Sequence, residues 1–200
     1  MKFSLIIGLI VALSLPALAF DREKLMKLDP LPSVRLQRIG VNAENNKLFW
    51  TAGWGLSGGW LIYNNLNKGY DAYRVNNLLS GSTLMVTAAL KYMLPSSFKT
   101  DQALFKELDF QGVEKETNAY FSIKSNAKSG QIQRRAAALM YLLSSLGSAV
   151  LAGSSTNLSD DERSWTNANA IGFFGLALYQ FFVPGADEIA ADQLDRELTQ

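Results

Sequence analysis

The chain has 200 residues, with 19 Lys plus Arg against 18 Asp plus Glu, and it contains neither Cys nor His. Near-neutral charge excludes nucleic acid as a bulk partner, because phosphate binding needs a basic face. The two missing residue types exclude a disulfide framework, Cys- or His-ligated zinc, a thiol nucleophile, a histidine general base and lipid attachment at an N-terminal cysteine.

The first element is residues 1–19. Lys2 precedes an apolar run from Phe3 to Leu15, Pro16 interrupts it, and Ala17-Leu18-Ala19 supplies a small-x-small site. A charged start, a short apolar core and such a site predict a secretory signal peptide, with the mature chain starting near Phe20. Export to a bacterial cell envelope follows, with a membrane as destination and the periplasm as the alternative.

Residues 20–47 form a polar N-terminal segment. Pro30 and Pro32 favour extended backbone there. Ser33 is expected to cap a short helix through Arg38, ended by Gly40, with residues 42–46 as a loop.

Four uncharged segments follow: residues 48–67, residues 75–90 continuing past Lys91 to Leu94, residues 136–159 and residues 164–186. Each has about the 17–25 residues of a membrane-spanning helix. Short charged connections, 68–74 and 160–163, pair them as two antiparallel helical hairpins. The expected fold is all-α: hairpin one over 48–108, a polar linker over 109–135 and hairpin two over 136–200, with four hydrophobic, membrane-spanning helices.

The hairpins match each other at a shift of about 90 residues, a period that points to duplication. Asp71 and Arg74 at the first tip fall on Asp160 and Arg163 at the second, and Pro95 falls on Pro184. Gly55, Gly58 and Gly59 fall on Ser144, Gly147 and Ser148. The stretch from Asp101 to Leu108 resembles that from Asp192 to Leu198, with one residue skipped. Units with an even number of helices enter from one side, so the repeats are parallel, related by an axis along the membrane normal.

Small residues are the candidate packing sites. Gly55 with Gly59, Ser144 with Ser148 and Ala152, and Ala168 with Gly172 and Gly175 make small-residue rows. In lipid such rows supply close backbone approach, and each is expected to seat its helix on the hairpin partner before it serves self-association. At the tips, Asp71 with Arg74 and Asp160 with Arg163 are spaced to pair at i,i+3. Trp50, Tyr63, Tyr73 and Trp165 near the segment ends suit a membrane interface, and Lys91 can snorkel towards it. Asn64, Asn65, Asn76, Asn77, Asn167 and Asn169 are expected to bind helix-end backbone; a polar conduit is the sharper alternative. Asp160-Asp161-Glu162 reads as a solvated helix start, since it lacks the alternating oxygen ligands of a calcium loop.

Two rules conflict on orientation. A cleaved signal peptide leaves the mature N-terminus outside and turns both tips inward, yet the tips hold only Lys68, Arg74 and Arg163. Arg35, Arg38, Lys47, Lys91, Lys99, Lys128, Arg134 and Arg135 gather on the other side, against the positive-inside rule.

The expected role is a non-enzymatic structural or interaction protein of the envelope, a subunit of a larger assembly. Its partners are the lipid bilayer and, beyond it, a second copy or other envelope proteins; no nucleic acid, cofactor or metal is expected. An oligomeric channel for a small solute and a soluble periplasmic four-helix bundle are the alternatives. Asp109, Glu114 and Glu116 are the acids an enzyme would have to use, and nothing in the sequence orients them.

Overall fold

The computed structural model describes residues 22–67, 69, 71–93 and 111–200, and within these all regular structure is helical. The helices are α1 (Arg22–Met26), α2 (Pro32–Tyr63), α3 (Ala72–Met93), α4 (Gly112–Ser154), α5 (Asp160–Phe182) and α6 (Ala186–Thr199). The leader over 1–19, Lys68, Pro95 and the stretch from Asp101 to Leu108 lie outside the described residues.

Helix α2 starts at Pro32, whose fixed φ suits the first turn. It then runs unbroken through Gly40 and residues 42–46, where a stop and a loop were expected. Leu36 is buried and Ile39 packs beside it against α4, so tertiary contact holds the helix where local propensity is poor. The expected cap also changes hands. Ser33 lies inside the first turn, and its backbone N–H donates to Glu116 of α4 at 2.9 Å while its hydroxyl donates at 2.7 Å.

Helix α4 is the hub: α2, α3, α5, α6 and α1 all pack on it. It begins at Gly112, whose φ of +56° is a left-handed conformation that glycine takes without steric cost. The stretch expected to be a linker is therefore helical from Gly112 onward. With 43 residues, α4 is about 65 Å long.

Two layers are stacked along it. The lower layer joins α1, the first half of α2, the first half of α4 and α6 around Leu36, Ala119, Ile123, Ala127, Ala191 and Leu194. Ion pairs rim this core. Arg35 makes a two-pronged contact with Glu197 (3.1 and 2.6 Å) and donates to the Pro30 carbonyl; Lys124 pairs with Asp195, which also accepts from Tyr120 at 2.7 Å. Arg134 grips Glu188 through two bonds of 2.9 Å and also donates to the Gln180 carbonyl, tying α4 to the α5–α6 corner.

The upper layer joins the second halves of α2 and α4 with α3 and α5. Neighbours pair in opposite register: Gly55 approaches Ala88 and Gly58 approaches Gly81 between α2 and α3, while Ser145 meets Ala170 and Arg163 reaches Ala152 between α4 and α5. An aromatic file of Trp54, Tyr141 and Phe173, with centroid separations of 6.2 and 6.0 Å, closes its lower end.

Among the described residues two helical runs, not the expected four, are long and apolar enough to cross a membrane: Gly112–Ser154 and Asp160–Thr199. The second half of α2 and all of α3 fall short because Gly, Ser, Thr and Asn interrupt their apolar residues. Their helical ends also differ from the segments drawn on charge alone. α4 stops at Ser154, and α5 stops at Phe182 before Pro184, which cannot continue a helix.

Candidate functional site

The upper layer inverts the usual burial rule. Its outward side chains are large and apolar, among them Leu56 (76% exposed), Leu143 (69%) and Ile171 (73%), with Trp60, Leu139, Leu146, Val150, Phe174 and Leu178 beside them. Its centre pairs an apolar cluster of Leu84, Tyr141, Phe173 and Ala177 with a set of polar side chains. Asn65, Asn76, Asn77, Ser80, Thr83, Thr87, Ser144, Ser145, Ser148 and Thr166 are all buried. A water-soluble bundle gains its stability by the opposite arrangement.

These groups form a seam between α3, α4 and α5. At its upper end Trp165 Nε1 donates to Asn77 Oδ1 (3.0 Å), Asn77 Nδ2 donates to Asn65 Oδ1 (3.3 Å), and Asn65 Nδ2 donates to the Leu61 carbonyl (2.8 Å). Lower down, Asn169 Nδ2 lies 3.5 Å from Ser80 Oγ and the Thr83 and Ser144 hydroxyls meet at 2.6 Å. Thr87 donates back to the Thr83 carbonyl and Ser145 donates to the Ala170 carbonyl, each at 2.8 Å. The Asn residues thus divide. Asn64 and Asn65 bind helix-end carbonyls, whereas Asn77 and Asn169 turn into the seam. Trp165 also points its N–H inward.

The backbones of α2 and α3 approach closely at Gly58 and Gly81. A Cβ added at Gly58 would sit 2.7 Å from the Gly81 carbonyl oxygen, and one at Gly81 would sit 2.8 Å from that of Gly58. Of the sequence candidates, Gly55 faces Ala88 at ordinary contact distance, while Gly59 meets nothing within 4 Å. Ser144 and Ser148 face the seam. Gly172 and Gly175 lie on the outward face of α5, and a Cβ at either meets nothing within 4 Å. Gly81 was the partner missed; its setting between Ser80 and Ser82 is the small-residue signal that marks it.

The tips are built from backbone contacts. Asp71 caps α3 by accepting the Arg74 backbone N–H at 2.6 Å, and Arg74 Nη2 donates to the Leu66 carbonyl at 2.8 Å. Arg163 Nη2 donates to the Ser155 carbonyl at 2.9 Å, and Nη1 reaches the Ala152 carbonyl. Asp160 opens α5 as its first residue, and Ser159 caps it through a reciprocal contact with Glu162. Ser-x-x-Glu before an apolar run is a capping box readable from spacing alone.

One offset recurs. Ser80 and Asn169 lie 89 residues apart and touch. At that offset all four buried positions of α5, Thr166, Ala170, Phe173 and Ala177, fall on buried positions of α3: Asn77, Gly81, Leu84 and Ala88. The Arg74–Leu66 and Arg163–Ser155 bonds correspond at the same offset, each spanning eight residues.

Outside the seam, charge shapes the α5–α6 corner. Arg134 holds the Glu188 carboxyl below its usual range, its hydrogen bond outweighing burial. Burial pushes Asp187 up. Burial and the adjacent Asp195 push Tyr120 up. Among the described residues no three acidic side chains gather as a metal site.

Comparison with known proteins finds no matching family, no matching curated relative and no matching solved structure.

Proposed function

We propose that this chain is an integral membrane protein of the bacterial cell envelope, a non-enzymatic structural subunit made of two duplicated helical hairpins. The upper layer carries the reading: exposed apolar side chains outside and a largely hydrogen-bonded polar seam inside suit lipid, where polar groups must find partners within the protein. Its dimensions agree. Residues 136–154 of α4 and 164–182 of α5 each span about 28 Å of helix, and residues 48–63 of α2 about 24 Å, against a hydrocarbon core of about 30 Å. Charges return at both margins, with Arg74 and Arg163 above and Lys47, Lys91 and Arg134 below.

The shared 89-residue offset of buried positions and tip bonds supports duplication. In this reading α3 crosses the bilayer with its Asn, Ser and Thr side chains kept against α4 and α5, which is how it spans while its composition alone falls short. The charged lower layer stands outside the hydrocarbon and offers a folded surface to other envelope proteins. Export by a cleaved leader over 1–19 brings the chain there.

Separation of cells into inner membrane, outer membrane and soluble periplasm, followed by a carbonate wash, tests the reading. The protein is expected to stay in a membrane pellet through the wash. Recovery in the soluble periplasm, folded without detergent, sinks it and leaves the periplasmic bundle.

A further inference from the structure

Hydrogen-bond accounting along the seam singles out one place. Asn76 and Ser148 are both fully buried (0% exposed). Neither amide atom of Asn76, nor Ser148 Oγ, has a partner within the protein. Bare polar atoms in a packed interior are costly, and native proteins satisfy nearly all of them.

Register places the three atoms along one stretch of the α3–α4 contact, within a turn of each other. Asn76, Ser80, Thr83 and Thr87 share one face of α3 at helical spacing, and Tyr141, Ser144, Ser148 and Ala152 share one face of α4. Thr83 meets Ser144, and the Leu79 side chain lies against Gly147. The helices run in opposite directions, so Ser148 falls level with Ser80, and Asn76 follows one turn above. Ser80 Oγ faces Asn169 Nδ2 as acceptor and retains its own O–H to donate.

We propose that a single water molecule is bound there, between α3 and α4, held by Asn76, Ser148 and Ser80. Buried waters typically make about three hydrogen bonds to groups otherwise unsatisfied, and this site supplies them. The chemistry fits a neutral ligand that both donates and accepts, because the amide of Asn76 offers both functions and Ser148 either. An ion is disfavoured, since residues 75–90 and 136–154 carry no charge to compensate it. The helices pack closely beside the site: a Cβ at Gly147 would lie 2.8 Å from Leu79 Cδ2. The bound water lies between the Asn77 cluster above and the Thr83–Ser144 pair below. It fixes the register of α3 on α4, since a slip by one residue would turn Asn76 out of its reach.

The site does not depend on what surrounds the bundle, so its test runs on the full chain in whichever medium keeps it folded. Ser148→Ala removes one hydroxyl with little change in shape. If the atoms are simply unpaired, this substitution is neutral or stabilising. If water is held, Ser148→Ala lowers the folded-to-unfolded ratio by about fivefold, Asn76→Leu does the same, and the double variant is no worse than the worse single one. In parallel, the Asn76 side-chain amide in isotopically labelled protein is expected to show a magnetisation-transfer peak to a long-lived water, abolished by Ser148→Ala. A stabilised Ser148→Ala variant overturns the proposal. So does non-additivity without the water peak, which would mean a direct Asn76–Ser148 bond. Fractionation of the wild-type chain decides the membrane reading separately, so the two failures are distinguishable.

Discussion

The Gly58–Gly81 crossing sets how closely α2 and α3 approach, and an added methyl group measures it. A Cβ at Gly81 would lie 2.8 Å from the Gly58 carbonyl oxygen, 2.9 Å from Ile62 Cγ1 and 3.1 Å from Leu61 Cβ. The first of these is backbone and cannot swing aside, so the helices must part by roughly half an ångström. A gap of that size forfeits about a quarter or more of each dispersion contact along the pair. Overpacking of this kind costs about 1–3 kcal/mol. Alanine regains about 1 kcal/mol over glycine in helix propensity, leaving Gly81→Ala destabilised by about 1 kcal/mol. Gly172→Ala is the matched control: no atom lies within 4 Å of its Cβ, so only the propensity gain remains and the variant is stabilised. Unfolding of the detergent-solubilised chain, followed by tryptophan fluorescence and circular dichroism, compares them. The reasoning is refuted if Gly81→Ala is as stable as Gly172→Ala. Destabilised Gly172→Ala would refute the open outer face of α5 instead.

Four further predictions concern the lower layer and the surroundings. Glu116→Ala removes both acceptors from the first turn of α2 and is expected to cost about 2 kcal/mol in thermal unfolding, with Glu116→Gln costing less. Glu188 has a lowered folded pKa, so its stabilisation is full above the ordinary value of 4.5 and is lost as pH falls through the folded value. Glu188→Gln therefore lowers the melting temperature at pH 7, and the gap narrows as pH falls below 4.5. Asp187, raised by burial, acts with the opposite sign: its ionised form costs stability as pH rises through its folded value, so Asp187→Asn raises the melting temperature at pH 7. Because the chain has no cysteine, single cysteines report surroundings directly. In vesicles Leu143→Cys and Ile171→Cys should resist a charged maleimide until detergent is added, whereas Lys115→Cys, accessible from its own side, reacts. Equal labelling of all three would place the upper layer in water.

The charge-free runs were legible as helices because an absence of charge over about 20 residues survives without any knowledge of packing. The lower layer was not, although its spacing is present. Ala119, Ile123 and Ala127 recur at i, i+4 and i+8, but Lys115, Lys124 and Lys128 stand among them and made the stretch read as a linker. Only α6, laid along the same face with Asp195 against Lys124, shows why those charges sit beside a core. The α2 start failed for a similar reason. Its cap comes from Glu116, 83 residues away, and no local pattern reports such a partner. In the seam, Asn was visible at helix ends and Ser in small-residue rows, yet their convergence depends on α3 lying against both α4 and α5.

Helix α4 joins the two layers and changes its burial code along its own length. Below Arg134 and Arg135 it buries Ala119, Ile123 and Ala127 with Glu116 and Asn126; above them it buries Ser144, Ser145 and Ser148 with Ala138, Tyr141 and Ala152, while Leu139, Leu143, Leu146 and Val150 turn outward. On the membrane reading proposed above, water below residue 135 and hydrocarbon above it account for this change. The same contrast bears on function. The seam crosses most of the apolar layer, but most of its hydroxyls and amides are spent on each other or on helix carbonyls, and residues 75–90 and 136–154 carry no ionisable Asp, Glu, Lys or Arg. Ion pathways are marked by such groups. A neutral and largely satisfied hydrogen-bond network instead locks helices in register, which accords with the proposed scaffold that presents the charged lower layer rather than with a conduit through the upper one.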